Sequence, residues 1–255
     1  MTMQAVILAG GKGTRLRPYT TILPKPLVPV GDYSILEILI RQLAACGIKK
    51  IILTVGYHYE LFQAICGNGR KWGIDLQYSL EEKPLGTIGP VKLIENLEDD
   101  FLIINGDTLT DLDYRELYAL HVREKNVMTI AASSRYVNID YGVIKTENAG
   151  HIVSYNEKPR LQYLVSMGVN VLSKNVLDII PEGVKFDFPQ LVMSLVSKNE
   201  PVRCYVHKGY WLDIGRPEDH AAAVEQFEKN RKKFLNDDSE AGDVLDFPEN
   251  CQRSE

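Results

Sequence analysis

Short, nearly continuous apolar runs alternate with amphipathic stretches through the first half of the chain. Such runs are typical of strands buried on both faces of a parallel sheet, and they fall at residues 3–9, 50–55, 76–80 and 101–105. Between them the pattern predicts helices at 34–46, 59–65 and 87–95. Because this alternation needs crossover connections, we expect a Rossmann-like α/β fold with a doubly wound, mostly parallel sheet.

The second half of the chain predicts a mixed continuation of this sheet. Strands are expected at 127–132, 165–172 and 202–207, a hairpin at 142–155, and helices at 188–199 and 217–234. Hairpins of this kind often build the second-substrate face of an α/β enzyme. Neither an interdomain linker nor an internal repeat is visible, so we expect a single domain over residues 1–235.

Charge is distributed unevenly along the chain. The formal net charge is −5, yet the segment 236–255 alone holds seven acidic residues and one arginine, and we expect this tail to be disordered. Ahead of Asp32 there is no acid, and the basic residues are Lys12, Arg15, Arg17 and Lys25. A chain without a globally basic face is not expected to bind nucleic acid.

The cysteines and the lengths of the apolar runs bear on the compartment. Cys46, Cys66, Cys204 and Cys251 are widely spaced and form no Cys-x-x-Cys pair, which is typical of free thiols in a reducing cytoplasm. No apolar run approaches the roughly 20 residues of a membrane span, and the N-terminus lacks a secretory leader. We therefore expect a cytoplasmic protein with no membrane partner. The sequence leaves open whether it forms a homo-oligomer.

A glycine-rich turn, Gly-Gly-Lys-Gly-Thr-Arg-Leu-Arg-Pro, follows the first strand at residues 10–18. Three glycines in four positions let the backbone approach a ligand and point its N–H groups at an anion. The turn departs from the dinucleotide fingerprint at Leu16, and no Gly-Lys-Ser/Thr follows at P-loop spacing. A flexible surface turn with solvated cations is the alternative interpretation.

A lysine framed by prolines follows in Leu-Pro-Lys-Pro-Leu-Val-Pro at 23–29. The prolines stiffen the backbone and so present the ammonium of Lys25 from a rigid segment. Together with Arg15 it could neutralise a polyphosphate, which is the main contribution an enzyme makes to phosphoryl or nucleotidyl transfer. These residues by themselves suggest a nucleoside triphosphate.

The two motifs, at 10–16 and 24–27, closely resemble the signature of the sugar-phosphate nucleotidylyltransferases. The resemblance runs to about Phe234 and is nearest to the mannose-1-phosphate guanylyltransferases and the short bacterial heptose- or aminosugar-phosphate guanylyltransferases. It implies the nucleotide-diphospho-sugar transferase fold, with hairpin elements forming the sugar-binding face. Further matching motifs lie at 81–87, 105–107, 141–143, 157–159 and 211–217.

The resemblance implies which residues bind the nucleotide. Arg15 would contact the β- and γ-phosphates and Lys25 the reacting phosphate, while Glu81 and Gly86 would contact the base. A carboxylate could accept from the two adjacent donors of guanine, so GTP is favoured, with CTP, UTP and dTTP left open. For Glu81 the alternative is a solvated turn. The nucleotide would be wrapped by Leu8, Ala9, Gly10, Gly11, Gly13 and Thr14.

Two aspartates are assigned to a metal by the same resemblance. Asp107 ends an apolar strand after Asn-Gly, where its carboxylate would point into the crevice at the sheet edge. Asp213, flanked by Trp211 and Gly215, is the second. Two hard oxygen ligands suit Mg²⁺, which keeps several waters and shares substrate phosphates. A helix cap is the alternative role for Asp107.

The resemblance also implies that Glu157 and Lys158 hold the sugar hydroxyls and the sugar phosphate, with Gly142 allowing the backbone to approach the ring. An exposed ion pair is the alternative for the first two residues. Ser166 stands where many family members have a sugar-contacting asparagine, so the identity of the sugar stays open. Asp187 lies near this pocket in the short guanylyltransferases.

The resulting hypothesis is a Mg²⁺-dependent transferase. The phosphate of a sugar 1-phosphate attacks the α-phosphorus of an NTP in line and releases pyrophosphate, with no protein nucleophile or general base. A catalytically silent regulatory subunit is the alternative from another class, and the presence of Arg15, Lys25, Asp107 and Asp213 opposes it. A dinucleotide-dependent oxidoreductase is opposed by Leu16.

Overall fold

A computed structural model describes residues 3–11, 13–56 and 58–235. The predicted disordered tail, Lys12 and Cys251 lie outside these residues. The described strands are β1 (Gln4–Leu8), β2 (Pro29–Val30), β3 (Tyr33–Ser34), β4 (Lys50–Val55), β5 (Asp75–Leu80), β6 (Asp100–Asn105), β7 (Thr108–Thr110), β8 (Met128–Asn138), β9 (Val143–Glu147), β10 (His151–Asn156), β11 (Arg160–Ser173), β12 (Val202–His207) and β13 (Trp211–Asp213).

Seven of these strands form the central sheet in the order β12-β8-β11-β6-β1-β4-β5. Strands β6, β1, β4 and β5 run parallel, while β11 is antiparallel to both of its neighbours. The doubly wound, mostly parallel mixed sheet is thus confirmed. Residues of β1 alternate between two cores, Ala5 and Ile7 on one side and Val6 on the other. Burial on both faces explains why the run is apolar throughout.

The helices cover both faces of the sheet. Helices α1, α2 and α3 contribute to one core, and α4 contributes Leu191 and Leu195 to the other. Ser34 caps α1 by accepting a hydrogen bond from Glu37 N at 3.1 Å. The helices are α1 (Ile35–Ala45), α2 (Tyr59–Cys66), α3 (Tyr114–Glu124), α4 (Phe188–Ser197), α5 (Pro217–Lys229) and α6 (Arg231–Leu235).

Two helix predictions differ from the structure. The expected helix at 87–95 is a 3-10 segment, Gly89–Leu93, in which Val91 N and Ile94 N donate to the carbonyl groups three residues earlier, at 3.1 and 3.2 Å. The expected long helix at 217–234 breaks at Asn230, whose φ of −128° is not helical. Helix α3 was not predicted.

The chain order places a crevice beside β1. Strand β4 follows β1 on one side, whereas β6 lies on its other side, so the strand order reverses at β1. Ligands of open α/β sheets bind at the carboxyl ends of strands at such a reversal. Here Gly106 N donates to Leu8 O at 2.9 Å, which ties the end of β6 to the end of β1. The glycine-rich turn and Asp107 therefore share one crevice.

A long ribbon projects from this sheet. Strand β11 pairs with β6 only through residues 169–173, while its residues 160–166 pair with residues 132–138 of β8 alone. Strands β9 and β10 form a separate two-stranded sheet between them. We call residues 134–165 the β-arm. Pro159 is the one buried residue within it.

None of the helices in the described ranges combines the length and apolar character that a membrane crossing requires.

Candidate active site

The glycine-rich turn is held in shape by its own backbone and by a buried leucine. Gly13 adopts φ +60°, and a Cβ there would lie 2.9 Å from Lys25 Cβ, so only glycine fits. Thr20 Oγ1 and Leu16 N both donate to Gly13 O, at 2.7 and 3.0 Å. Leu16 is buried in the core between β13 and α5, which leaves Thr14 and Arg15 exposed at the turn.

Lys25 occupies the centre of the site. It begins a 3-10 turn, Lys25–Leu27, and its side chain is 10% exposed. Its ammonium donates to Asp107 Oδ2 in an ion pair and lies 3.6 Å from Asp213 Oδ1. The structure thus brings together three of the predicted residues, although each is more than 80 positions from the next along the chain.

A small second sheet makes this meeting possible. Strand β7 follows Asp107 directly and pairs antiparallel with β13, so that Thr108 lies opposite Asp213. In addition, Ile214 N donates to Asp107 O at 3.1 Å. A Cβ built on Gly215 would lie 3.4 Å from Asp213 Oδ2 and 4.0 Å from Arg15 Nη1, which places Arg15 beside the second aspartate. We refer to Arg15, Lys25, Asp107 and Asp213 as the phosphate cluster.

The carboxylates of this cluster fit a hard cation. Burial and the neighbouring Asp107 raise the pKa of Asp213, against the lowering effect of Lys25 and Arg15. Asp107 Oδ1 is buried and has no hydrogen-bond partner among the described residues. Those residues include no group of three or more His, Cys, Asp or Glu that would enclose a metal. Two aspartates with further ligands from water and phosphate is the arrangement that Mg²⁺ prefers.

Glu81 faces the glycine-rich turn across a cleft of about 590 Å³. Its Oε2 accepts from Leu85 N at 3.1 Å, and its Oε1 would lie 2.2 Å from a Cβ on Gly10. The side chain is therefore fixed in the cleft and is not part of a solvated turn. Gly56, His58 and Tyr59 also line this cleft. A larger cavity of about 690 Å³ lies along the edge strand β5 and contains no member of the phosphate cluster.

Gly86 packs against the start of α4. Its φ is +84°, and a Cβ there would lie 2.6 Å from Phe186 O. The adjacent Thr87 N donates to Asp187 Oδ1 at 3.0 Å, and Phe188 N donates to Thr87 Oγ1 at 2.7 Å. These contacts give Gly86 a packing role, and its contact with a nucleotide base stays a prediction.

The predicted sugar-binding residues lie on the β-arm and at its base. Tyr155 OH would be 2.2 Å from a Cβ on Gly142 and donates to Glu157 Oε2 at 2.8 Å, a bond that raises the pKa of Tyr155. Lys158 is exposed with φ +44°. Within the described residues, no contact joins Glu157 or Lys158 to the phosphate cluster.

Ser166 directly follows the β-arm, in the part of β11 that approaches β13. It pairs with Ala132, and the O atom of the next residue, Met167, accepts from Trp211 Nε1 at 2.9 Å. Trp211 stands two residues before Asp213 on β13. The structure therefore links the segment of Ser166 to β13 through Met167 and Trp211, while the other predicted sugar contacts lie further out on the β-arm.

A buried carboxylate that the sequence analysis missed supports β13. Asp111 is 3% exposed and accepts from Tyr210 N and His207 Nε2, both at 2.8 Å, and it pairs with Lys233 of α6. Burial alone would raise the pKa of Asp111, but the hydrogen bonds from Lys233 and His207 lower it overall. No sequence motif marks this residue, because its partners come from two distant segments, residues 207–210 and Lys233.

Comparison with known proteins places this site in a family. The chain matches the Nucleotidyl transferase family over residues 4–230. It is 35% identical to a mannose-1-phosphate guanyltransferase of Yarrowia lipolytica over 230 residues, which is 85% of this chain and 62% of that protein. It is 31% identical to a D-glycero-alpha-D-manno-heptose 1-phosphate guanylyltransferase of Aneurinibacillus thermoaerophilus, over 89% of this chain and 99% of that one.

A solved structure has the same fold as this chain. The crystal structure of HddC from Yersinia pseudotuberculosis complexed with GMP-PN superposes with a TM-score of 0.67 at 29% identity, covering 88% of this chain and 99% of that one. The chain thus spans about 62% of the first relative's length and nearly the whole of the two bacterial proteins. With the family matched over nearly all of its described residues, the chain belongs to the nucleotidyl transferases, as its glycine-rich turn and its proline-framed lysine predict.

Proposed function

We propose that this protein transfers a nucleoside monophosphate, GMP in preference, from an NTP to a sugar 1-phosphate and releases pyrophosphate. The observation that carries the proposal is the ion pairing of Lys25 with Asp107 and Asp213 at the crevice beside the glycine-rich turn. A mobile cation at the tip of a loop would serve binding alone. A buried lysine held between two carboxylates is suited to stabilise charge that develops on a phosphate.

The turn and Arg15 would hold the β- and γ-phosphates. The exposed backbone around Gly11 and the exposed guanidinium of Arg15 leave room for them, and Lys25 would turn from the carboxylates towards the α-phosphate. The attacking oxygen of a sugar 1-phosphate is already anionic, so the protein needs to supply only positioning and charge neutralisation. No general base is required.

Nucleotidyltransferases of this family typically depend on a divalent metal, and we infer Mg²⁺ here. Asp107 and Asp213 would hold it, since Asp107 Oδ1 is buried without a partner among the described residues. When bound, the ion would neutralise phosphate charge. Loss of its two carboxylates should then matter more than loss of any other acidic pair in the molecule.

Guanine is the base that the Glu81 cleft favours. Only one of the two carboxylate oxygens is bound to the backbone, at Leu85 N, and the other faces Gly10 and Gly56. The carboxylate oxygen that the backbone leaves free could accept from the adjacent N–H donors of guanine in a strong, charge-assisted contact. The guanylyl specificity in the names of the two relatives supports this choice, with CTP, UTP and dTTP as the alternatives.

The acceptor we propose is mannose 1-phosphate or the 1-phosphate of a related hexose or heptose. The experiment is a matrix of four NTPs against such sugar 1-phosphates, read as pyrophosphate release with Mg²⁺. We expect turnover with GTP. A preference for a pyrimidine triphosphate would overturn the choice of base, and no turnover with any pair would overturn the proposal in favour of a silent regulatory subunit.

A further inference from the structure

Arg135 is an exposed cation at the base of the β-arm, in strand β8. Its guanidinium lies 4.9 Å from the centroid of the Trp211 ring, and its Nη2 donates to Trp211 O at 3.1 Å. Among the described residues it forms no ion pair. A guanidinium has five N–H donors, so most of them remain available to a ligand. This charge is held in place without being neutralised.

Trp211 connects Arg135 to the reacting end of the site. Alternate residues of a strand point to the same face and are about 6–7 Å apart, so Trp211 and Asp213 share one face of β13. Lys25 contacts that face at Asp213 Oδ1, at 3.6 Å. The indole also donates to Met167 O, beside Ser166. Arg135, at the base of the β-arm, is therefore linked to the phosphate cluster through Trp211.

A planar guanidinium that is already ordered by an aromatic face suits bidentate recognition of a phosphate. Ordering in advance also lowers the entropic cost of binding. We propose that Arg135 binds the phosphate of the sugar 1-phosphate and so determines how the acceptor enters the site. This inference rests on the proposed function. It adds an acceptor contact that belongs to none of the motifs shared with the family.

The chain offers a matched control in Arg160. It is also exposed and also stacks on an aromatic ring, at 3.9 Å from the centroid of Tyr136. In the register of β8 and β11, Arg160 lies opposite Asn138 and Arg135 lies opposite Tyr163. Residues 135 and 138 are an odd number of positions apart, so the two arginines lie on opposite faces of the β-arm. Of the two arginines, Arg135 contacts Trp211, two residues before Asp213, and Arg160 contacts Tyr136.

The first experiment is steady-state kinetics of the full chain with Arg135→Ala, Arg135→Lys and Arg160→Ala. Loss of one charge-assisted phosphate contact should raise the KM for the sugar 1-phosphate about 10- to 100-fold and leave the KM for the NTP unchanged. Arg135→Lys keeps the charge but not the planar fork, so it should recover part of the loss. Arg160→Ala should match the wild type.

Acceptor binding can also be read without turnover. The chain has two tryptophans, and Trp72→Phe leaves Trp211, the ring that Arg135 covers, as the single indole. Titration of this variant with sugar 1-phosphate should change the Trp211 emission, and adding Arg135→Ala should shift that titration to about 10- to 100-fold higher concentration. Inorganic phosphate should compete with the sugar 1-phosphate for binding to the Trp72→Phe protein. It should compete only weakly when Arg135→Ala is also present.

Distinct outcomes separate the two proposals. If the wild type turns over no sugar 1-phosphate, the proposed function fails and this inference fails with it. If the wild type is active and Arg135→Ala leaves the acceptor KM unchanged, the inference alone is overturned. Equal increases in both KM values, with a lower Tm, would show that Arg135 only fastens the β-arm to β13. A loss confined to acceptors with a second anionic group would overturn the assignment to the 1-phosphate.

Discussion

The phosphate cluster and the β-arm are built in opposite ways. Lys25 is 10% exposed and held between two aspartates, on strands that are fixed by backbone pairing over long sequence separations. The β-arm has one buried residue, and at its surface Tyr155 lies against Gly142 and donates to Glu157. Loss of one partner from a buried ion pair has a large energetic cost, whereas loss of an exposed contact has a small one. We infer that the cluster serves the chemistry and that the β-arm sets the acceptor.

The largest effect should come from Lys25→Ala. Removing the ammonium leaves two facing carboxylates and no cation for the α-phosphate, so kcat should fall about 10²- to 10³-fold. Pyrophosphate release at saturating substrates measures it. Lys145→Ala, an exposed lysine on β9, is the control and should keep wild-type kcat. A Lys25→Ala enzyme within tenfold of wild type would show that the cluster is not the reacting centre.

Asp107→Asn should have the second-largest effect on activity. The amide keeps the shape but cannot replace the buried, unpartnered Oδ1 as an anionic ligand, so kcat should fall about 100-fold and half-maximal activity should need more Mg²⁺. A Mg²⁺ titration of activity tests this. Asp113→Asn changes an aspartate that caps α3 and should alter stability alone. An unchanged Mg²⁺ dependence in Asp107→Asn would remove this residue from the metal site.

A smaller effect is expected on the β-arm. Glu157→Gln weakens an exposed carboxylate that binds Tyr155 OH, and the KM for the sugar 1-phosphate should rise about tenfold while the KM for the NTP stays constant. Tyr155→Phe removes the hydroxyl but keeps the carboxylate and should give a weaker rise. If Glu157→Gln lowers kcat as strongly as Asp107→Asn, then the assignment of the chemistry to the phosphate cluster and of acceptor binding to the β-arm is wrong.

The smallest effect concerns stability and lies at the opposite end of the sheet. His121 is buried, with Nδ1 2.9 Å from Thr129 Oγ1 and Nε2 3.3 Å from Asp100 Oδ1. Burial lowers its pKa, and Asp100 only partly opposes this. The folded state thus binds this proton less readily than the unfolded state, so its contribution to stability is present above about pH 6.5 and is lost as pH falls below it.

Thermal unfolding at pH 7.5 and pH 5 measures this dependence. Each kcal/mol lost would lower Tm by about 2–4 °C in a domain of this size. His151→Gln, on exposed β10, should keep the pH dependence, and His121→Asn should weaken it. Equal pH dependence in wild type and His121→Asn would assign the effect to other groups. Since His121 is far from the phosphate cluster along the sheet, the KM for the NTP should not follow this titration.

Much of the parallel half of the fold follows from local pattern. Strand β1 and helix α1 can each be predicted from a few consecutive residues. A strand buried on both faces is a continuous apolar run, and a helix buried along one stripe has apolar residues at helical spacing. Helix α3 gives a weaker signal, since tyrosines and a histidine make up part of its buried stripe, namely Tyr114, Leu117, Tyr118 and His121. Tyrosine and histidine have both polar and apolar parts, so they do not define a clear apolar period in the sequence.

The site residues also fall into those that local sequence predicts and those that it does not. The glycine-rich turn and Lys25 were predictable because they act through their own segment, where glycine and proline restrict the backbone. Asp111 and Arg135 were not predictable, because each acts through a partner far along the chain, Lys233 and Trp211 respectively. A contact of this kind leaves no spacing to recognise.

From its sequence alone, this protein is an α/β nucleotidyl transferase with a cation-bearing turn, because backbone restriction and hydrophobic periodicity are local properties. Only the tertiary structure decides that β7 pairs with β13, which brings Asp107 and Asp213 to the same lysine. The structure also decides that Gly86 packs at the start of α4 and that Arg135 stacks on Trp211, two residues before Asp213. These outcomes depend on strand pairing over some 100 residues, where the favourable contacts of many side chains jointly select one register.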